Sequence, residues 1–133
     1  MATTPNYANG PRCGIAQATA ANTTRDGTGT LATVFTAGSN GSRIDKIESV
    51  ATGTTTAGML RYFIHDGTNA RMEHEKPVQA VTPSGTVPSW KSVMQQNGED
   101  PQLFPILLPA GFSLRVSTHN AETFNIIATG GDF

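Results

Sequence analysis

Charge is scarce in this 133-residue chain: Asp, Glu, Lys and Arg together make up 14% of it, against roughly a quarter in an average soluble domain. Nine basic and ten acidic residues leave a net charge of −1. That excludes the basic stripe a nucleic-acid binder carries, so no nucleic-acid partner is expected. The Ala/Glu/Lys/Leu/Arg composition of a coiled coil is missing too. No apolar run approaches the ~18 residues of a membrane helix. The opening MATTPNY has neither the basic start nor the apolar block of a signal peptide. No membrane partner is therefore expected, and synthesis in a cytoplasm is. Cys13 is the single cysteine, which leaves no internal disulfide and no CxxC pair for metal or redox work.

Thr, Gly, Ser, Asn and Ala fill the space that charge leaves. Thr alone occurs 19 times and Gly 14 times. β-Branched residues suit pleated strands, and Gly and Asn suit the turns between them. At 14.0 kDa about two-thirds of the chain surface is buried on folding, enough for one core and one domain.

Residues 1–27 hold few large apolar groups and several breakers (Pro5, Asn9-Gly10-Pro11, Asp26-Gly27). This composition predicts an extended arm, with at most one short strand over 14–20, that burial alone cannot order. From Leu31 onward, short β segments alternate with turns every 8–12 residues, the rhythm of an antiparallel β-sandwich or barrel. The expected fold is mainly β: a jelly-roll-like antiparallel sandwich over 28–133 behind an arm over 1–27.

Two details of pairing are legible. Ile44 and Ile47 differ by three, so either a bulge separates them or both faces are covered. Segments 59–65 and 70–78 form a hairpin around Asp66-Gly67-Thr68-Asn69. A three-residue loop with Asn69 left-handed would set His65 opposite Arg71, Ile64 opposite Met72, Phe63 opposite Glu73, Tyr62 opposite His74 and Arg61 opposite Glu75. That register gathers Leu60, Tyr62, Ile64 and Met72 on one face. It leaves Arg61, Arg71, Glu73, Glu75 and His65 as an exposed charged face. Pro77 ends its strand's ladder or places it at an edge, Pro105 argues for an edge or a bulge, and 90–95 reads as a short strand or a single helical turn.

The searches for chemistry fail in turn. Gly38-Ser39-Asn40-Gly41-Ser42 lacks the spacing of a nucleophile elbow. Gly27-Thr28-Gly29 follows no strand and opens no helix, so it is no dinucleotide loop. His65, Glu73, His74 and Glu75, with His119, resemble a ligand set, but His74 faces away from its two flanking carboxylates. Glu73 and Glu75 stand at a spacing a glycosidase pair could use, without the aromatic platforms such a cleft needs. No catalytic, cofactor or metal site is expected, which leaves binding as the work. An extended arm and open strand edges suit it, since a peptide can add a strand to a partner's sheet.

The run LPAGFSLRVST over 108–118, followed by Asn125-Ile126-Ile127-Ala128, and the segment IESVATGTTTAGMLRYFIHD over 47–66 resemble strands of small virion structural proteins of tailed bacteriophages. About half the chain is covered. The resemblance implies a capsid decoration or cement protein on the virion exterior, made in the host cytoplasm. It would bind the major capsid protein and itself as a homodimer or homotrimer. On that expectation Tyr7, Arg12 and Ile15 of the arm contact the shell, and Trp90 and Phe133 anchor the interface. A tail- or fibre-associated module that binds a receptor or carbohydrate, with Trp90 as its platform, is the alternative.

Overall fold

A computed structural model describes residues 10–133. It is mainly β. The strands are β1 (Gly10–Ala18), β2 (Ala32–Thr36), β3 (Ser42–Ala51), β4 (Gly58–His65), β5 (Ala70–Val78), β6 (Lys91–Gln95), β7 (Ile106–Leu108), β8 (Ser113–Thr118) and β9 (Phe124–Asp132), with one 3-10 turn at Pro101–Leu103. They form two antiparallel sheets, ordered β1-β9-β3-β6 and β2-β8-β4-β5. The edge beyond β3 is shared: Ser42–Ile44 pair with β7, and Lys46–Val50 with β6. Pro105 ends just before β7 begins, at that edge, where a missing N–H costs no ladder bond.

One core cluster joins the sheets. Ile44, Ile47, Ile126 and Ala128 of the first meet Phe35, Leu60, Tyr62, Leu114 and Val116 of the second. The three-residue step from Ile44 to Ile47 is a bulge: β3 and β9 lose register between Ile44 and Lys46, so both isoleucines face inward. Opposite the bulge, Gly130 lies so close to β3 that a Cβ there would fall 1.8 Å from the Arg43 carbonyl oxygen. Tyr62 is buried with its hydroxyl 2.6 Å from Ser49 Oγ, linking the two sheets through the core. Burial pushes its phenol well above the usual range, although the Ser49 hydrogen bond works the other way.

The hairpin corrects the expected loop. Tyr62 does face His74, and Arg61 does face Glu75. Nearer the tip, Phe63 faces Met72, Ile64 faces Arg71 and His65 faces Ala70, with a shift between Tyr62 and Phe63. A four-residue turn therefore replaces the three-residue one, and the bulge absorbs the difference. Gly67, at φ 98°, takes the left-handed backbone, while Asn69 does not. The turn is held by Asp66 Oδ1, which accepts from the N–H groups of Thr68 (2.9 Å) and Asn69 (2.7 Å).

The arm over 1–27 is also corrected for residues 10–27. β1 pairs with β9 along its whole length, Gly10 opposite Asp132 through to Ala18 opposite Phe124. Its inward positions other than Arg12 are small (Gly10, Gly14, Ala16 and Ala18), and Gly14 lets β2 approach: a Cβ there would lie 2.2 Å from the Val34 carbonyl oxygen. Ladder bonds and this contact order the segment without large apolar side chains, which is why composition underrated it.

After β1 the chain crosses the outer face of the second sheet as a strap over residues 19–31. Asn22 N–H donates to Thr118 on β8 (2.8 Å), the Asn22 carbonyl accepts from Arg61 on β4 (3.1 Å), and Arg25 reaches Glu75 on β5 (2.7 Å). Under it Arg61 is 1% exposed, and Phe63 and Ser117 are buried. The expected exposed charged face is thus partly covered. Arg61 donates to Glu75 Oε1 (2.8 Å) and contacts His119 Nδ1 (3.1 Å). Burial alone would raise the Glu75 carboxyl, but hydrogen bonds from Arg25 and Arg61 outweigh it and hold it below its ordinary value.

Candidate functional site

Among the described residues β1 has a backbone ladder with β9 alone, so the other edge of this nine-residue strand is without a described ladder partner. Such an edge is a template for another strand. Its outward side chains continue onto the outer face of the first sheet. Ile15 stands opposite Ile127, Ile127 opposite Glu48, and Glu48 opposite Val93. The next row joins Gln17 to Asn125 and Val50, with a 2.9 Å hydrogen bond between Gln17 Nε2 and Asn125 Oδ1. Ile15 is 72% exposed and flanks an open depression of about 470 Å³ with Ala16, Gln17, Asn125 and Ile127. Lys46 and Glu48, 3.0 Å apart, put a neutralised ion pair on the same face. An unpaired edge beside an exposed isoleucine is chemically suited to strand addition with an apolar side-chain contact.

The five expected interface residues fall in different places. Ile15 lies at the centre of the open edge. Arg12 is on the same strand but turned toward the molecule: its Nη1 donates to both carboxylate oxygens of Asp132 at 2.9 Å, and its Nη2 to the Thr36 carbonyl at 3.0 Å. Its guanidinium carbon sits 4.7 Å from the Phe35 ring centroid. Arg12 therefore clamps β1 and β9 to β2 and is already engaged. Ser42 also donates to Asp132, and the Ser42 and Arg12 hydrogen bonds hold that carboxyl below its ordinary value.

Phe133 is 42% exposed at the far end of β9, where it borders a second hollow of about 260 Å³ with the exposed Leu107. Trp90 is a core residue, with its ring edge-on to Phe124 at 5.7 Å. It offers neither an interface anchor nor a carbohydrate platform, because the strand it introduces is β6 and its own ring points into the shared core. Tyr7 lies outside the described residues.

The ionisable candidates do local work. His65 Nδ1 accepts from Gly67 N–H (3.0 Å), His119 meets Arg61, and His74 lies 3.3 Å from Asp100. Glu75 is held by two arginines, while Glu73 sits at the hairpin's register shift. No cluster of three or more potential metal ligands occurs among the described residues. Asp100, with φ 51°, also accepts from Lys76 (3.1 Å). Burial would raise its carboxyl, but Lys76 and His74 together bring it below the ordinary value.

Sequence reasoning missed a polar cleft between the 26–31 part of the strap and the β4–β5 turn, lined by Asp26, Thr28, His65, Asn69, Arg71 and Arg115 among others. Its walls come from segments some forty residues apart, so no local spacing announces it. Comparison with protein-family models, with curated proteins and with solved structures returns no match.

Proposed function

We propose that this protein is a virion structural protein of the capsid decoration or cement type, a jelly roll that adheres to the major capsid protein and stabilises the shell. The observation that carries this reading is the open β1 edge with Ile15 exposed beside it. Main-chain groups on such an edge give affinity to a partner strand, and an apolar side chain gives register. The jelly-roll assignment is supported by the strand orders. The chain passes from one sheet to the other at every step except the β4–β5 hairpin and the β6-to-β7 step, and 1-9-3-6 faces 2-8-4-5, the arrangement of two interlocked Greek keys. The phage-like text of 108–118 and 47–66 adds the virion context, and self-association as a homodimer or homotrimer belongs to the same proposal.

Purified protein mixed with emptied capsids should bind at a fixed stoichiometry and raise their disruption temperature. Ile15→Lys should abolish that binding while leaving the unfolding midpoint unchanged, since a charge on an edge blocks strand addition without touching the core. Wild-type protein that fails to bind, or an Ile15→Lys variant that binds as well as wild type, would reject the reading.

A further inference from the structure

The polar cleft on the outer side of the second sheet has a volume of about 380 Å³, within the range of small-ligand sites. Both of its walls are pinned turns. On the strap, Asp26 Oδ1 accepts from Thr28 N–H (3.0 Å) and its hydroxyl (2.6 Å). On the hairpin, Asp66 Oδ1 accepts from Thr68 and Asn69. The strap turn is pressed onto β5: a Cβ on Gly27, at φ 89°, would fall 2.4 Å from the Ala70 carbonyl oxygen.

Two guanidinium groups share this hollow, and neither has an ion-pair partner among the described residues. Arg115 Nε donates to Ser113 Oγ (3.1 Å), and Arg71 Nη1 donates to the Ala70 carbonyl (3.2 Å). The carboxylates nearby are Asp26 and Asp66. Each is committed to the N–H groups of its own turn, although Asp66 also feels the charges of His65 and Arg71. Among the charged groups lining the hollow, Arg71 and Arg115 outnumber the Asp26 carboxylate, so its field favours an anion placed between the two guanidinium groups. A carboxylate, like a phosphate, presents two oxygens that match a guanidinium fork.

The hollow is much larger than a bare ion, and Thr28 and Asn69 add hydroxyl and amide groups along its rim. We propose that the cleft binds one acidic sugar residue, a uronate, with its carboxylate held by Arg71 and Arg115 and its hydroxyls by the rim. The site lies on the sheet opposite Ile15, so this proposal and the docking reading fail separately.

The test is an amide-resolved NMR titration of the whole protein with D-glucuronate, D-glucose and inorganic phosphate. Glucuronate should give saturable shifts confined to residues 26–31 and 65–71, with glucose, which lacks the charge, and inorganic phosphate, which lacks sugar hydroxyls for the rim, at least about tenfold weaker. Arg71→Gln, at an exposed position, should weaken glucuronate about tenfold with an unchanged fold. Arg115→Lys, which keeps the charge and loses the fork, should weaken it as well. Absence of saturable shifts with glucuronate would overturn the proposal. So would equal affinity for glucose or for phosphate, or full affinity in both variants.

Discussion

Arg61 is the side chain on which the outer layer of the second sheet converges. It reaches the Asn22 carbonyl on the strap, Glu75 on β5 and His119 beyond β8, while being almost wholly buried. A buried cation with three partners is costly to truncate, because the partners lose their bonds and a cavity remains. Glu75 retains Arg25 and some solvent, so Arg61→Ala should cost about 2–3 kcal/mol in urea unfolding. Full recovery by Arg61→Met would show that packing alone is at stake. Acid should loosen the same region. Glu75, Glu99, Asp100 and Asp132 all have carboxyls held below their ordinary values.

For such groups the folded state binds protons less readily than the unfolded chain. Their stabilisation is therefore complete above the ordinary values of 4.5 for Glu and 3.8 for Asp, and is lost as pH falls through the depressed folded ones. Asp45, raised by burial, works in the opposite sense. Denaturant midpoints should be flat from about pH 6 to 7 and fall below about pH 4.5. A midpoint that rises on acidification would contradict these assignments.

Among the elements, the β3–β9 pair shows how one bulge constrains its partner. The extra residue near Asp45 turns both Ile44 and Ile47 inward and brings the Arg43 carbonyl onto Gly130. Gly130→Ala forces main chain against a Cβ and should cost about 2 kcal/mol or more. Gly10→Ala, where nothing lies within 4 Å of the added carbon, should stay within about 0.5 kcal/mol of wild type. Chemical denaturation of the two variants side by side checks the contrast; equal effects would mean that β3 and β9 do not approach as described. On β1, Ile15→Lys should likewise leave stability within about 0.5 kcal/mol, which makes it a clean probe of the edge.

At the scale of the molecule, one core joins both sheets, and the strap ties β1 to the second of them. The protein should therefore unfold as a single unit. Trp90, the sole tryptophan, is packed against Phe124 in that core. Its fluorescence should shift to the red on unfolding, with the same midpoint as the far-ultraviolet circular dichroism. Two separated transitions would mean that the front segment and the body are independent.

Local chemistry along the chain was enough to determine the β class and the Arg61–Glu75 pairing, and to narrow the Ile44–Ile47 step to a bulge or a doubly covered strand and Pro105 to an edge or a bulge. Periodicity and turn residues carry each of these within a few positions. The tertiary structure decided the rest. β1 is ordered by main-chain bonds to β9, more than a hundred residues away, and such bonds leave no mark on side-chain composition. The hairpin tip slipped because Gly67 supplies the left-handed residue and a bulge takes up the difference. The strap buries Arg61 and Phe63 on a face that alternation assigns to solvent, since alternation says which side a residue faces and not what lies over it. The same long-range crossing brings Arg71 and Arg115 to one cleft with the 26–31 turn, a juxtaposition that exists only once the chain has folded.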